Sequence, residues 1–374
     1  MVSGGTTTAD AWVSFSGDTV AAVGIGTTWR DLGIDPASST DARGRVLSPG
    51  FIDIHCHGGG GASFEDGPEA IGAALGMHQR HGTTRFVLSL VTASQADLES
   101  RLAVIADETE RNPLVLGAHL EGPFLDDEFR GAHDPALLRA PDPRSIDRLL
   151  QAGRGHIRQV TLAPELPGAP ATIRTLVDAG VAVAVGHSSA DYGAAMAAFD
   201  SGASILTHAF NGMRGIHHRA PGPVAAATRS PQVTLEMIND GVHVHPAVVR
   251  LAFAGAPGRI ALITDAMAAA GSSDGRYRLG TLAVTVTDGV ARIDQGDSIA
   301  GSTLTLDAAL RRAVTEVGVS LEEAVTALTE TPARAIGRGH DLGLLAPGYA
   351  ADAVLLEDDF QVAAVFAAGW RVLG

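Results

Sequence analysis

Short apolar runs and longer amphipathic segments alternate along the chain from about residue 45 onward. Each apolar run is rich in β-branched residues, ends in polar or glycine-rich residues, and is followed by an alanine- and leucine-rich stretch. This alternation is typical of strands joined by helices in a parallel sheet, and the near-continuous apolar character predicts strands covered on both faces. The eight predicted strands span residues 46–57, 84–92, 114–122, 157–165, 181–189, 204–212, 233–241 and 260–267.

Eight strand–helix units predict an α/β fold of the (β/α)₈ TIM-barrel type. Residues 10–24 and 342–374 predict short strands with turns instead, so both chain ends are expected to build one small β-sandwich domain. Residues 275–297 predict a β-hairpin inserted after strand eight, with Asp288 and Gly289 at its turn. The predicted domains are a small β-domain of residues 1–47 and 342–374, and a catalytic barrel of residues 48–341.

Composition narrows the class of protein. The net charge of −15 is spread along the chain, which argues against a nucleic-acid partner. No apolar run reaches the roughly 18 residues of a membrane span, and the first residues lack the features of a signal peptide. The single cysteine, Cys56, excludes internal disulfides and fits a reducing compartment. We therefore expect a cytoplasmic enzyme.

Polar residues of metal-ligand type collect where the predicted strands end. The carboxyl ends of the strands form the face on which TIM-barrel active sites are built. A single histidine there is more often structural, but several together favour a metal centre. His55 and His57 lie two residues apart on a strand, so their side chains share a face. The remaining candidates are Glu121, His187, His208, His243 and Asp265.

Several segments carry a resemblance to a known family. PGFIDIHCHG, HLEGPF, GHSSA, THAFNGM, NDGVHVHP, LITDAM and GSTLTLDAALR occur in this order, and they resemble the N-acetylglucosamine-6-phosphate deacetylases of the amidohydrolase superfamily. The similarity covers essentially the whole chain. HLEGPF together with HHRAPG is a narrow signal, whereas the His-x-His pair is shared across the superfamily. The resemblance implies metal-dependent hydrolysis of N-acetylglucosamine 6-phosphate to glucosamine 6-phosphate and acetate, in amino-sugar catabolism and cell-wall recycling.

The resemblance also implies a metal centre. Glu121, His187 and His208 match the family's metal ligands, and members with a pair like His55 and His57 can hold a second metal bridged by the glutamate. The sequence contains no lysine, and all 27 basic residues are arginines. Because no carboxylated lysine can bridge two metals here, Glu121 is the expected bridge. The cofactor is expected to be one or two divalent ions, with zinc favoured and iron or another ion left open.

The remaining roles follow from the same resemblance. Asp265 is expected to act as general base and then general acid. His133 and His243 match residues that contact the sugar and the acetamido carbonyl, and Asn211, Gly212 and Arg219 match the phosphate site. The matching arginine reaches the site of the neighbouring subunit, which implies a homodimer. His119 is expected to play a supporting role. An amidohydrolase for another substrate, an N-acyl-D-amino acid or an unphosphorylated amino sugar, is the alternative.

Overall fold

A parallel β-barrel forms the centre of the computed structural model, which describes residues 1–35, 38–296 and 298–373. Residues 36, 37 and 374 of the predicted small domain and residue 297 of the predicted hairpin lie outside the described residues. The strands lie side by side in chain order. They are β1 (Phe51–Cys56), β2 (Thr83–Val91), β3 (Val115–Glu121), β4 (Ile157–Leu162), β5 (Ala182–Val185), β6 (Ile205–Leu206), β7 (Thr234–Ile238) and β8 (Ile260–Ile263).

A helix follows every barrel strand, so the predicted (β/α)₈ fold is confirmed. Buried aliphatic and aromatic side chains of strands and helices form one continuous core. No helix among the described residues is long and apolar enough to cross a membrane. The helices are α1 (Pro68–Gln79), α2 (Gln95–Arg111), α3 (Pro143–Gly153), α4 (Ala169–Asp178), α5 (Tyr192–Asp200), α6 (Gly222–Arg229), α7 (Pro246–Gly255), α8 (Leu306–Arg312, continued by a π-helical turn over Ala313–Val317), α9 (Leu321–Leu328) and α10 (Glu330–Ala335).

Hydrogen bonds between the ends of β1 and β8 close the barrel. The Asp265 backbone N–H donates to the carbonyl of His55 at 2.8 Å, and the His57 N–H donates to that of Ala266 at 2.8 Å. Inside the barrel, the Thr264 hydroxyl donates to the Asp53 carboxylate at 2.6 Å. This closure places the His-x-His pair directly beside Asp265.

The two chain ends form the second layer of structure, as predicted. A four-stranded antiparallel sheet joins Val46–Pro49 to three strands near the C-terminus, and an N-terminal hairpin packs on it. Phe15 and Phe366 meet across the layers with ring centroids 6.0 Å apart. The exact domain boundaries stay a prediction. The other strands are Ala353–Leu356, Val362–Ala367 and Trp370–Leu373 in the sheet, Ala11–Ser16 and Thr19–Ile25 in the hairpin, and the short pair Val2–Ser3 and Thr6–Thr7.

The first predicted strand is in fact two strands that belong to different sheets. Val46–Pro49 lies in the terminal sheet, whereas Phe51–Cys56 is β1 of the barrel. The chain passes from one sheet to the other at Gly50. A Cβ on Gly50 would lie 2.2 Å from the Thr84 hydroxyl oxygen, so no other residue allows this close approach.

The segment inserted after β8 has three antiparallel strands, one more than a hairpin. They are Gly275–Leu279, Leu282–Thr287 and Val290–Ile293. Asp288 and Gly289 form the second turn with φ values of 51° and 74°, as a type I′ turn requires. Apolar side chains of the insertion pack on Val91 and Met267 at the barrel rim. The insertion therefore covers the side of the barrel on which the strands end.

A buried ion pair fastens the terminal sheet to the barrel. Arg85 on β2 contacts both carboxylate oxygens of Asp352, at 2.6 Å and 3.1 Å, and both side chains are less than 10% exposed, at 7% and 8%. The Asp352 carboxylate also accepts the Ala368 N–H at 2.8 Å. Removal of one partner leaves the other charge buried without its counter-ion.

We expect Asp352→Ala to lower the free energy of unfolding by about 3–5 kcal/mol, the usual cost of breaking a buried ion pair. Urea unfolding followed by circular dichroism measures this change. The control is Arg148→Ala, which breaks an exposed pair with Glu99 and should cost less than about 1 kcal/mol. Equal losses in the two variants would contradict a fastening role for the Arg85–Asp352 pair.

Candidate active site

A cavity of about 430 Å³ opens at the carboxyl ends of the barrel strands. The strand ends supply its floor, and the three-stranded insertion supplies part of its wall. Most of the residues that the sequence predicted for metal or substrate binding lie here together. The cavity is lined by His57, Glu121, Gly131, Ala132, His133, His187, His208, Phe210, Asn211, Gly212, Ile238, His243, Asp265, Leu279, Arg292, Ser298, Ile299 and Gly301.

Glu121, the last residue of β3, lies at the centre of a ring of imidazoles. Its Oε1 is 3.2 Å from the Nε2 atoms of His55, His187 and His208. Its Oε2 is 3.1 Å from Nε2 of His57. All five side chains are buried. One carboxylate therefore touches both predicted groups of metal ligands, as a bridging ligand must.

Three of the site residues occupy the left-handed region of backbone space. The φ values are 46° for His187, 25° for His208 and 50° for Asp265. Non-glycine residues rarely adopt this conformation, and it concentrates at sites where function requires it. Here it turns each side chain inward just after its strand ends.

Hydrogen bonds at the far ring nitrogens determine which atom of each histidine faces the centre. The Nδ1–H of His187 donates to the carbonyl oxygen of Phe129 at 2.9 Å. The Nδ1–H of His55 donates to the carboxylate of Glu236 at 3.0 Å. A carbonyl or carboxylate oxygen only accepts, so the neutral form of each ring carries its proton on Nδ1 and leaves the lone pair of Nε2 for the centre. That tautomer is the one a metal ligand needs.

His133 has the opposite arrangement. Its Nδ1 accepts the backbone N–H of Thr92 at 3.4 Å, and the Thr92 hydroxyl lies 2.8 Å from the same atom. Burial and the neighbouring His187 lower the pKa of His133 to about 3, so the ring is neutral. The proton therefore resides on Nε2, which faces the cavity 3.6 Å from Glu121. This ring is suited to donate a hydrogen bond to a substrate oxygen.

Asp265 lies beside the His-x-His pair, with its Oδ1 3.3 Å from Nε2 of His57 and 3.6 Å from Nε2 of His55. Burial raises the pKa of Asp265, but the charge of His55 and the hydrogen bond with His57 outweigh that effect and lower the pKa. Burial also lowers the pKa of His57, yet its hydrogen bonds to Asp265 and Glu121 raise it to about 9. The pocket therefore favours a carboxylate at residue 265 and positive charge beside it.

The donor set fits a divalent metal. The candidate ligand atoms of His55, His57, Glu121 and Asp265 all lie within 4.8 Å of one another. The Nε2 atoms of His187 and His208 approach to 2.9 Å. Each of these nitrogens can offer a lone pair, so a cation bound between them would satisfy both. Imidazole and carboxylate ligands are those of zinc and related ions.

The predicted substrate residues fall into two sets. Asn211, Gly212 and His243 line the cavity, and His243 Nδ1 donates to Asp240 at 2.7 Å. Burial lowers the pKa of His243, but the hydrogen bond and charge of Asp240 raise it overall. Arg219 lies on an exposed loop, where its guanidinium contacts His218 at 2.6 Å, and it is not among the described residues that line the cavity.

His119 shares a strand face with Glu121 but not its surroundings. Its Nδ1 contacts the Ser89 hydroxyl and its Nε2 contacts the Thr161 hydroxyl, both at 2.8 Å. Both ring nitrogens are thus engaged below the cavity floor, which suits a supporting role. Cys56 is also fully buried and lies 3.4 Å from Nε2 of His78, with its side chain away from the ligand cluster.

Three polar residues of the site were not found from the sequence. Asp240 orients His243, Glu236 contacts His55, and Arg292 of the insertion lines the cavity. A signal existed for two of them. Glu236 is a carboxylate within the otherwise apolar run TLEMI, and Arg292 lies in the segment inserted after β8, on the face where TIM barrels build their active sites.

The chain is similar in sequence and in fold to several known proteins. The amidohydrolase family model matches residues 46–372. N-acetylgalactosamine-6-phosphate deacetylase from Escherichia coli O157:H7 is 40% identical over 338 residues, 89% of each chain. N-acetylglucosamine-6-phosphate deacetylase from Bos taurus is 37% identical over 348 residues, 89% of this chain and 85% of that one. A mutant N-acetyl-D-glucosamine-6-phosphate deacetylase from Mycobacterium smegmatis, solved in complex with N-acetyl-D-glucosamine-6-phosphate, gives a TM-score of 0.91 at 44% identity and covers 97% of this chain and 95% of that one.

Proposed function

The chain belongs to the amidohydrolase family, and from that membership we propose that it is a deacetylase of N-acetylglucosamine 6-phosphate. The products are glucosamine 6-phosphate and acetate, which makes this a step of amino-sugar metabolism. The observation that carries the proposal is the convergence of Glu121, His187, His208 and Asp265 in one cavity. Relatives named for 6-phosphorylated N-acetyl hexosamines support this substrate over an unphosphorylated or amino-acid substrate.

Glu121, His187 and His208 would hold the first divalent ion, and His55 and His57 would hold a second one that shares Glu121. Zinc is the proposed metal, since imidazole and carboxylate ligands suit it well. When bound, the metal polarises the acetamido carbonyl and lowers the pKa of water. The negative charge of Glu121 and Asp265 and the inward Nε2 atoms of His55 and His187 support this assignment.

Asp265 would move the protons of the reaction. Its carboxylate accepts a proton from water as the water oxygen attacks the acetamido carbon. It then donates that proton to the sugar nitrogen as the carbon–nitrogen bond breaks, which releases acetate and the amine. His133 would stabilise the negative charge that develops on the carbonyl oxygen, because its Nε2–H faces the cavity.

The phosphate would lie near Asn211 and Gly212, where the chain turns after β6. Gly212 has a φ of 57°, and a Cβ there would lie 2.9 Å from Nδ1 of His187, so a glycine keeps this turn close to the metal site. Arg219 would complete the phosphate site of a neighbouring subunit in a homodimer. Its exposure outside the cavity of its own chain supports that arrangement. The single buried cysteine supports a reducing compartment, the cytoplasm.

We expect Arg219→Ala to raise KM for N-acetylglucosamine 6-phosphate about 10- to 100-fold, since a hydrogen bond to a charged group contributes about 1.5–3 kcal/mol. Initial rates of acetate release measure KM, with the exposed Arg111→Ala on α2 as the control. The weak reaction with unphosphorylated N-acetylglucosamine should not change in the variant.

The origin of the arginine is tested by mixing subunits. Arg219→Ala protein and inactive His208→Ala protein are unfolded and refolded together. Mixed dimers then contain one site with an intact metal centre and an intact arginine, so low-KM activity returns. An unchanged KM in Arg219→Ala alone would contradict the phosphate role, and no recovery in the mixture would contradict the contribution from a second subunit.

The substrate is tested by comparing acetate release from four compounds. These are N-acetylglucosamine 6-phosphate, its galactosamine epimer, unphosphorylated N-acetylglucosamine and an N-acetyl-D-amino acid. The proposal expects the highest kcat/KM with N-acetylglucosamine 6-phosphate. A preference for either unphosphorylated compound would favour the alternative amidohydrolase.

A further inference from the structure

Glu236 is a fully buried carboxylate that the proposed reaction does not use. It lies in the middle of β7 between Leu235 and Met237, and its exposed fraction is 0%. A buried carboxylate is costly unless hydrogen bonds compensate for the lost water. A residue of this kind inside a barrel therefore calls for a specific set of partners.

Three donors surround the Glu236 carboxylate. Its Oε1 accepts from the side-chain amide of Gln159 at 2.7 Å. Its Oε2 accepts from Nδ1 of His55 at 3.0 Å and from the backbone N–H of His208 at 3.3 Å. Glu236 thus contacts one histidine from each proposed metal subsite, although it lies below the cavity and is not among the described residues that line it.

The hydrogen bond to His55 has a direct consequence for the opposite ring nitrogen. In the neutral ring the proton stays on Nδ1 and the lone pair is on Nε2, which lies 3.2 Å from Glu121 Oε1 and 3.6 Å from Asp265 Oδ1. The buried Nδ1 of His57 has no hydrogen-bond partner among the residues that the structure describes. His55 is therefore the member of the His-x-His pair whose tautomer and ring orientation the protein sets.

We infer that Glu236 is a positioning residue that prepares His55 to bind a second divalent ion beside the one held by Glu121, His187 and His208. The inference rests on the metal centre of the proposed function. A carboxylate on the far nitrogen of a metal-binding histidine fixes the tautomer and makes the ring a stronger ligand. Through the N–H of His208, the same carboxylate connects the two subsites.

Glu236→Gln tests this role with almost no change in volume. A glutamine can accept from His55 by turning its NH₂ group toward Gln159, whose side-chain amide can rotate to accept through its otherwise unpartnered Oε1. This variant therefore removes the negative charge beside His55, while the hydrogen bond to Nδ1 can still form. Glu236→Asp is the second variant, because it keeps the charge but withdraws the carboxylate from His55. The matched control is Thr161→Val, which changes a different buried polar side chain of the barrel interior. The Thr161 hydroxyl contacts His119 and Thr207 but no proposed ligand ring.

The measurement is zinc stoichiometry and stepwise zinc affinity of the full-length proteins, by elemental analysis and competition with a chromophoric chelator. We expect two ions in the wild type and in Thr161→Val. In Glu236→Gln and Glu236→Asp, the Kd of the second ion should rise about 10- to 100-fold, the usual effect of losing a residue that hydrogen-bonds to a metal ligand. The first ion should stay bound. Thermal unfolding of the zinc-loaded proteins identifies any variant that does not fold.

The inference is overturned if either folded Glu236 variant binds both ions with wild-type affinity, or if Thr161→Val loses the second ion to the same extent. A wild type that binds a single ion and still releases acetate overturns the inference alone and leaves the deacetylase proposal intact. A wild type that binds no ion but folds overturns the metal centre itself, and with it both proposals.

Discussion

Replacing Asp265 with asparagine is expected to lower kcat for acetate release about 10²- to 10⁴-fold, the usual contribution of a general base or acid. The substitution keeps the size of the side chain and one oxygen, but an amide cannot take a proton from water. The backbone contacts of residue 265 with His55 and Ser302, at 2.8 Å and 2.7 Å, do not depend on the side chain. Steady-state kinetics at saturating substrate measure the change directly.

Metal analysis separates a proton-transfer role from a ligand role for Asp265. Its Oδ1 belongs to the cluster of possible ligand atoms, so a loss of metal would also lower the rate. We expect Asp265→Asn to keep its metal content and to bind substrate with little change in affinity. A kcat within tenfold of the wild type would contradict the proton-transfer role, and a large loss of metal would assign Asp265 to metal binding instead.

Replacing Glu121 with glutamine is expected to abolish measurable activity and to empty the metal centre. Glu121 contacts four histidines through its two oxygens, so neither proposed ion keeps its full ligand set without that charge. The loss of metal affinity should exceed the roughly 10- to 100-fold effect of replacing a residue that only contacts a ligand, such as Glu236. Metal content after gel filtration in the presence of a chelator measures it.

Glu128→Gln is the control for this experiment, because Glu128 is an exposed carboxylate in the loop that follows β3. It should retain the metal and the activity of the wild type. The Glu121 variant should remain folded, since the barrel core does not depend on its side chain. If Glu121→Gln kept its metal and deacetylated substrate at the wild-type rate, the central ligand of the site would lie elsewhere.

The barrel could be predicted from sequence because parallel strands covered on both faces leave uninterrupted apolar runs. An uninterrupted apolar run does not, however, indicate where a strand of one sheet ends and a strand of another begins. Residues 46–57 form one run in the sequence, yet the structure divides them at Gly50 because Val46–Pro49 pairs with a strand more than 300 residues away. The additional strand of the insertion was missed because residues 275–287 were predicted as one arm of the hairpin, whereas the structure divides them into Gly275–Leu279 and Leu282–Thr287, which pair with each other.

In the candidate site, too, some features follow from the local sequence and others depend on contacts between residues far apart in the chain. Residue type and strand position indicated His55 and His119 alike, since both are histidines inside apolar strands. Only their partners distinguish them: two hydroxyls engage both nitrogens of His119, whereas His55 keeps one nitrogen for the centre. Those partners lie on other strands, so the sequence around each histidine does not predict them.

Glu236 illustrates the same limit. Its place in an apolar strand is visible in the sequence, but its contacts are to Gln159 on β4 and His55 on β1, which only barrel closure brings together. The dimer and the phosphate role of Arg219 rest on the resemblance alone. Within one chain, that arginine is not among the described residues that line the cavity. These remain predictions, and the mixed-subunit experiment addresses them.

The most direct measurement of the proposed chemistry is acetate release from N-acetylglucosamine 6-phosphate by metal-free protein to which zinc is added back. We expect no release without metal, and activity that rises with bound zinc and needs both Glu121 and Asp265. Unphosphorylated N-acetylglucosamine should react with a much lower kcat/KM. Folded protein with zinc bound that releases no acetate from the phosphorylated sugar, or releases it equally well from both sugars, would contradict the proposed function.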